Sequence, residues 1–321
     1  MIEFTVNAEL AGSRPDQALR SVAPSVGRQL ALRLLKESRI LVNGRAATLS
    51  TQLHAGDTVR AKLDEKWLRP KGGVVTRAEP TEHGFTLLYL DEHLCVVDKP
   101  TGMPTHPGVG APAGSALTDR VREMLVEKGH SPSTAPAAGG RLDRGTSGVV
   151  ALSISTEAEG ALGKAYLSGA VHKEYLVLVQ GVTPERFEVS HPLTVARYTP
   201  TSGKKKKVKE ALTRCEALAH SERATLLRAL PVTGRTHQIR RHLRMEGHPV
   251  VGDERYALPE RTRVHADRLC LHLHRLVLPH PVTGQKLELV AEPPEDFRAA
   301  VASAGITGEP WKRQAPRRST R

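Results

Sequence analysis

Cysteine is nearly absent: Cys95, Cys215 and Cys270 are the three in 321 residues. An odd, widely spaced set builds neither a disulfide framework nor a zinc ribbon. It fits a reducing compartment, so a cytoplasmic location is expected. Aromatic residues are equally scarce, at 3% of the chain, which argues against a sheet that binds RNA by stacking bases on exposed rings. No apolar run approaches the ~20 residues needed to span a bilayer, so no membrane association is expected. The start, Met1-Ile-Glu-Phe-Thr5, lacks the basic region and apolar run of a signal peptide. The histidines His237, His242, His248, His272 and His274 fit no standard zinc spacing, and no metal site is assigned. Gly108-x-Gly110 with Gly114 is interrupted by Pro112, and Gly160 to Lys164 lacks the P-loop spacing, so neither is a nucleotide fingerprint.

What the chain does have is positive charge. Lys and Arg outnumber Asp and Glu by 47 to 34, a formal net charge of +13. Such an excess favours a polyanionic partner, of which nucleic acid is the commonest, although a merely soluble basic protein has the same composition. With 39% apolar residues the chain can bury a core, and its length suggests about two domains. Residues 1–65 form one expected unit. Ser13-Arg-Pro-Asp16 has the character of a helix start, and a second helix is expected from about Gly27 to Lys36, with Leu30, Leu34 and Leu35 inward. Arg28, Arg33 and Lys36 are then outward or flanking, as an RNA-binding face or a plain solvated one. Ile40-Leu-Val42, the Asn43-Gly44 turn and Gly56-Asp57 before Thr58 complete a hairpin pattern. This arrangement resembles the small RNA-binding domain of ribosomal protein S-four type. Residues 66–84 are expected to be a linker, and 304–321 a basic, disordered tail.

Residues 85–303 alternate short apolar runs of strand composition with helical segments such as Glu157 to Ala170. The expected class is α+β, with a mixed, mostly antiparallel central sheet and flanking helices. The most informative stretch is Gly140-Arg-Leu-Asp-Arg-Gly-Thr-Ser-Gly148. Nearby arginines favour the ionised form of Asp143, and an ionised carboxylate can serve as nucleophile or base. Standing alone, an Asp between two arginines is more often a structural ion pair than a catalyst. It does not stand alone. Asp98-Lys-Pro-Thr-Gly-Met-Pro-Thr-His106, Lys173-Glu-Tyr175, Thr233-Gly-Arg-Thr-His-Gln-Ile-Arg240, His248-Pro-Val-Val-Gly-Asp253 and Tyr256 follow in order.

Together these motifs resemble the RluA-type pseudouridine synthases, whose hallmark Arg-Leu-Asp-x-x-Thr-Ser-Gly is present as Arg141 to Gly148. The resemblance runs from about Phe85 to Val301. It implies isomerisation of uridine to pseudouridine in a structured RNA, large-subunit ribosomal RNA before transfer RNA, without cofactor or metal. It assigns Asp143 as the catalytic aspartate, Arg240 as its arginine partner and Tyr175 as the ring packed on the base. Arg141 would hold the flipped nucleotide. Thr146 and Ser147 would shape the loop, and Arg235, Thr236, His237 and Gln238 would support the substrate. One position departs from the family: Gly140 stands where a histidine usually precedes the Arg-Leu-Asp triplet.

The reaction suits these residue types. The bond from C1′ to N1 breaks, the base turns, and C5 rejoins the sugar. Whether the carboxylate attacks C1′ or removes the C2′ proton is open at this level. Either way negative charge develops on the departing uracil and must meet fixed donors. A stacked uridine must first be flipped out, at a cost of a few kcal/mol. Lys204, Lys205, Lys206 and Lys207 would attract phosphates, or form an ordinary basic loop. Two rivals remain: a non-catalytic RNA-binding assembly factor on the same fold, and an aspartate-dependent glycosidase, for which Asp253 is the one candidate second carboxylate. The oligomeric state is not legible, and a monomer is the default.

Overall fold

The computed structural model describes residues 2–23, 28–62, 78–108, 112–199, 203–258 and 264–312; at residues 28–30, 33, 195–199 and 203–206 it describes backbone alone. Of the RNA-contact residues expected above, the side chains of Arg28, Arg33, Lys204, Lys205 and Lys206 therefore lie outside the described set, as does Leu30. Lys36 and Lys207 are described and exposed.

The first unit runs β1 (Ile2–Thr5), α1 (Pro15–Val22), α2 (Arg28–Lys36), β2 (Ile40–Val42), β3 (Arg45–Ala46) and β4 (Thr58–Ala61). Its sheet order is β1-β4-β2-β3. Pro15 opens α1, where a missing N–H costs nothing. Asn43 and Gly44 both adopt positive φ, 51° and 82°, which closes the two-residue β2–β3 hairpin with the sheet's own twist. Ala18, Leu19, Ala31, Leu34, Ile40 and Val59 form a small core of their own. Val22, at helical spacing from that face, is instead 44% exposed because α1 ends there.

The second unit continues with β5 (Glu79–Pro80), β6 (Thr86–Leu90), β7 (Leu94–Lys99), α3 (Leu117–Glu127), β8 (Ala137–Ala138), β9 (Ser147–Ser153), α4 (Thr156–Ser168) and β10 (His172–Gln180). After these come β11 (Arg186–Val189), β12 (Leu193–Thr199), β13 (Gly203–Lys209), β14 (Thr213–His220) and β15 (Ala224–Pro231). It closes with α5 (Gln238–Met245), β16 (Leu271–Pro279), β17 (Lys286–Val290), α6 (Glu295–Ser303) and a 3-10 turn at Pro310–Lys312. Eleven strands form one sheet in the order β11-β14-β15-β10-β16-β9-β7-β6-β5, with β17 beside β16 and β8 beside β9. Among the described strands, β9 with β16 is the parallel pair; the rest are antiparallel. The fold is thus the mixed, mostly antiparallel α+β class expected from the sequence.

Every residue of β9 is buried, which is why Ser-Gly-Val-Val-Ala-Leu-Ser is a continuous run rather than an alternating one. Fully burying each Val or Leu there is worth roughly 1.5–3 kcal/mol. The β9–β16 contact is so close that a Cβ on Gly148 would lie 2.3 Å from the Leu273 carbonyl oxygen. Two boundaries differ from the sequence reading. Glu79 and Pro80, placed in the linker, pair with β6 at the sheet edge. Residues 304–312, placed in a disordered tail, pack instead: Ala304, Ile306 and Trp311 are buried in the main core. The indole of Trp311 is an anchor that a Pro- and Arg-rich composition concealed. Residues 313–321 lie outside the described set.

Candidate active site

The three strands β9, β10 and β16 at the middle of the sheet bring distant segments together at one cleft of about 910 Å³. Asp143 stands on the loop that enters β9. Two segments clamp this loop. The hydroxyl of Thr105 donates to the Leu142 carbonyl at 2.9 Å and receives the Leu142 N–H at 3.2 Å. The hydroxyl of Thr101 donates to the Gly145 carbonyl at 2.9 Å, and the Arg144 Nε donates to the Gly102 carbonyl at 2.9 Å. The fully buried ammonium of Lys99 reaches the carbonyls of Pro100 at 2.9 Å, Met103 at 2.8 Å and Arg144 at 3.4 Å. Burial, and then the positive charge of Arg268, push Lys99 down to about 7, against the pull of Asp143 and Asp98. The Asp98–His106 motif is therefore a clamp on the aspartate loop.

Arg240 projects from α5 between two carboxylates. Its Nε and Nη2 form a two-pronged pair with Asp253 at 2.6 and 2.8 Å, and its Nη1 donates to Asp143 Oδ2 at 2.9 Å. Asp253 is fully buried, while the Asp143 side chain keeps 28% of its surface open. Burial disfavours charge on Asp253, yet the hydrogen bonds from Arg240 hold it below the usual carboxylate range. Burial would likewise weaken the guanidinium's hold on its proton; the hydrogen bonds to Asp253 and Asp143 reverse this and raise it. Asp253 also accepts the backbone N–H of Arg255 at 3.0 Å and of Tyr256 at 3.1 Å. The Tyr256 ring lies 5.1 Å from the Arg240 guanidinium carbon. Arg240 is thus fixed from behind, with one prong left for Asp143.

Tyr175 enters from β10, opposite Leu273 of β16 and Ala229 of β15, next to a bulge at Glu174 that re-aims the strand. Its ring is 9% exposed and lines the cleft. Burial raises its phenol well above the ordinary value, helped by Tyr166 and the Asp143 charge, so Tyr175 stays a neutral phenol.

The remaining expected residues separate into two groups. Arg141, Thr146, Arg235, Thr236 and His237 line the cleft. The Thr146 hydroxyl is buried there without a hydrogen-bond partner. Arg235 is tethered through Nε to the Glu210 carbonyl at 3.0 Å. Gln238 borders the cleft but has no free donor: its carbonyl accepts from Thr233 Oγ1 and the Arg235 N–H, and its amide donates to the Leu212 carbonyl and Thr213 Oγ1. Ser147 faces away, 1% exposed. Its hydroxyl receives Arg268 Nη2 at 2.7 Å and bonds His272 Nδ1 at 2.9 Å. His272 Nε2 bonds the Ala291 carbonyl at 2.9 Å, so the ring is neutral and Ser147 donates to Nδ1. Burial pushes His272 down to about 3. Ser147 faces away from the cleft, and Gln238, although it borders the cleft, spends its amide on the frame. His242, His248 and His274 are likewise bound to Thr213 Oγ1, to the Gln180 carbonyl and to the Ala291 carbonyl.

Sequence reasoning missed Tyr166 and Lys173, which both line the cleft. The Lys173 ammonium lies 5.9 Å from the centre of the Tyr166 ring. Tyr166 also explains the departure at position 140. A Cβ on Gly140 would lie 2.4 Å from Tyr166 Cε1, and one on Gly139 2.6 Å from Cε2. The ring of α4 fills the space that a side chain at 140 would take.

Residues 93–245 match the family model described as RNA pseudouridylate synthase. The chain is 31% identical over 320 residues to the ribosomal large subunit pseudouridine synthase D of Xylella fastidiosa, covering 94% of this chain and 92% of that protein. The chain belongs to the RluA-type pseudouridine synthase family. The dual-specificity RNA pseudouridine synthase RluA of Haemophilus influenzae is 32% identical over 219 residues, 66% of this chain and 95% of its own length. The same fold occurs in the solved structure of human RNA pseudouridylate synthase domain containing 4, at a TM-score of 0.58 and 22% identity, over 69% of this chain and 94% of that one. Like other family members, the chain is an RNA pseudouridine synthase. Its Tyr166–Gly140 packing shows how the site accommodates the unusual glycine.

Proposed function

We propose that the chain isomerises uridine in large-subunit ribosomal RNA, with Asp143 as its catalytic carboxylate. The observation that carries this reading is the chain of contacts from Asp253 through Arg240 to Asp143. A buried, doubly bonded guanidinium presents one N–H to a half-open carboxylate at 2.9 Å, in a cleft large enough for a nucleotide. Asp143 is held in orientation, with Oδ1 free of that bond to meet the sugar. A flipped uridine enters beside Arg141. Tyr175 offers its ring to the detached base, so that it turns without leaving.

One observation supports ribosomal RNA, and a second supports RNA in general. The ribosomal relative matches through nearly the whole chain, including the first unit, whereas the dual-specificity relative matches 66% of it. The chain also carries a net charge of +13, the footprint of phosphate binding. We assign RNA docking to residues 1–65, with Lys36 on the exposed end of α2, and to the β12–β13 hairpin, where Lys207 is exposed. The enzyme acts as a monomer in the cytoplasm on this reading.

The test is tritium release from ribosomal and transfer RNA transcripts labelled at C5 of uracil, because C5 loses its hydrogen when it becomes the glycosidic atom. Release from large-subunit transcripts alone supports the reading. Release from transfer RNA alone moves the target, and binding with no release from any RNA favours an assembly factor.

A further inference from the structure

Among the described residues, His237 is the one non-glycine residue of the cleft with a left-handed backbone. Its φ of 53° and ψ of 29° are left-handed, at the N-cap of α5. Outside glycine, Ser38 and Asn43 are the other residues with positive φ among those described, and both lie in the first unit. A left-handed non-glycine residue persists only where the surroundings fix it, and such residues cluster at functional sites. Here the surroundings are the fully bonded Gln238 amide, which pins the turn at 233–235, and Tyr256, whose hydroxyl bonds His237 Nδ1 at 2.9 Å. The Tyr256 ring stands edge-on to the imidazole at 5.6 Å between centres. As a result Nε2 points into the cleft, 3.6 Å from Asp143 Oδ1. That distance is too long for a hydrogen bond, but it lies within the reach of charge. The remaining charges about the ring are Arg240, Arg255 and Asp253. No cap hydrogen bond is made by the His237 side chain, so helix capping does not explain its choice at this position.

We infer that His237 Nε2 is the base that accepts the C5 proton of the rejoined uracil, a role resting on the uridine-isomerase reading above. After C5 bonds to C1′, the ring holds a tetrahedral C5 bearing hydrogen and a C6–N1 double bond. The C5–H bond then breaks, its electron pair forms the C5–C6 double bond, and the proton goes to Nε2. The electrons of the former C6–N1 double bond move to N1, which takes a proton from water. The imidazolium gives its own proton to water, so the base ends neutral and no proton is gained or lost overall. The acceptor tautomer carries its hydrogen on Nδ1, donated to the Tyr256 oxygen. Burial keeps the free imidazole below its ordinary value, with Arg240 and Arg255 opposing the pull of Asp143, so the ring is neutral when the uridine arrives. The regenerated Asp143 carboxylate then faces the transient imidazolium.

Single-turnover rates with the full-length chain and a large-subunit ribosomal RNA transcript, carrying either protium or deuterium at uracil C5, test this. His237→Asn and His237→Gly both accept a left-handed backbone, and melting temperature and RNA affinity report whether each is folded. In the wild type, equal rates with the two labels are expected, because proton loss follows the slow step. Each variant is expected to be about 100-fold slower, in line with loss of a positioned base, and slower still with deuterium. Slowing without a deuterium effect, or no slowing, overturns the inference while leaving the isomerase reading intact. A wild type that forms no product on any RNA overturns both.

Discussion

Replacing Asp253 by Asn keeps the shape of the site and removes the charge behind Arg240. The Asn carbonyl can still accept the N–H groups of Arg255 and Tyr256, now at 3.0 and 3.1 Å. Its amide, however, presents hydrogens where Arg240 Nε approaches at 2.6 Å. Removing one partner of a buried pair typically costs 3–5 kcal/mol. Arg240 retains Asp143, so the lower end applies, about 3 kcal/mol. For a unit of this size that lowers Tm by about 6–12 °C. The catalytic consequence comes from geometry. With the Nε prong lost, the guanidinium shifts toward Asp143, and a misplacement of about 1 Å costs on the order of 100-fold in rate. Single-turnover product formation at saturating enzyme separates this from weaker RNA binding. A folded Asp253→Asn protein with the wild-type rate would show that Asp253 does not position Arg240.

Four further outcomes are expected. Gly140→Ala places a methyl 2.4 Å from Tyr166 Cε1 and should destabilise by about 1–3 kcal/mol; Tyr166→Leu should relieve most of that in a double-mutant cycle read by urea unfolding, and additive effects would contradict the packing. Asp91 accepts from Tyr89, His280 and the backbone of His93 and Leu94. Although burial opposes it, these bonds hold Asp91 at about 2, so its contribution is complete above about pH 4 and lost as pH falls through 2; it is worth roughly 2 kcal/mol. The stability gap between wild type and Asp91→Asn should narrow on acidification over that window, and a gap independent of pH would contradict the assignment. Lys99→Met strands the carbonyls of Pro100 and Met103, which should cost at least about 2 kcal/mol and slow turnover by loosening the Asp143 loop; an unchanged melting temperature would refute the clamp. Deleting residues 1–65 should weaken RNA binding more than it slows single-turnover chemistry at saturating enzyme, and the reverse would place the first unit in the active site.

Much of the second unit was legible because its signals are local. Val149 to Leu152 and Tyr175 to Val179 are apolar runs and Leu287 to Val290 alternates apolar and charged residues, and each lies within an observed strand. What the chain's order hides is which side of β9 a residue faces. Thr146 and Ser147 are neighbours in one motif, yet the hydroxyl of the first borders the cleft and that of the second bonds His272 across the parallel β9–β16 pair. That pairing joins residues 125 positions apart, and no periodicity announces it. Gln238 looked like a substrate contact because it shares a motif with Arg240; its four bonds are visible only once β14 and the 233–235 turn are in place. Asp253 was named only as a candidate second carboxylate; its actual partner, Arg240, is thirteen residues away on a different element. Tyr166 carried one signal in advance, since a glycine where the family has a side chain leaves a volume that some other residue must fill.

The most direct test of the central claim compares the wild type with Asp143→Asn, counting pseudouridine in recovered large-subunit RNA while RNA affinity is measured in parallel. Stoichiometric product is expected with the wild type, and none above background with the variant at unchanged affinity. Substantial pseudouridine formed by Asp143→Asn would remove Asp143 from its role and contradict the account.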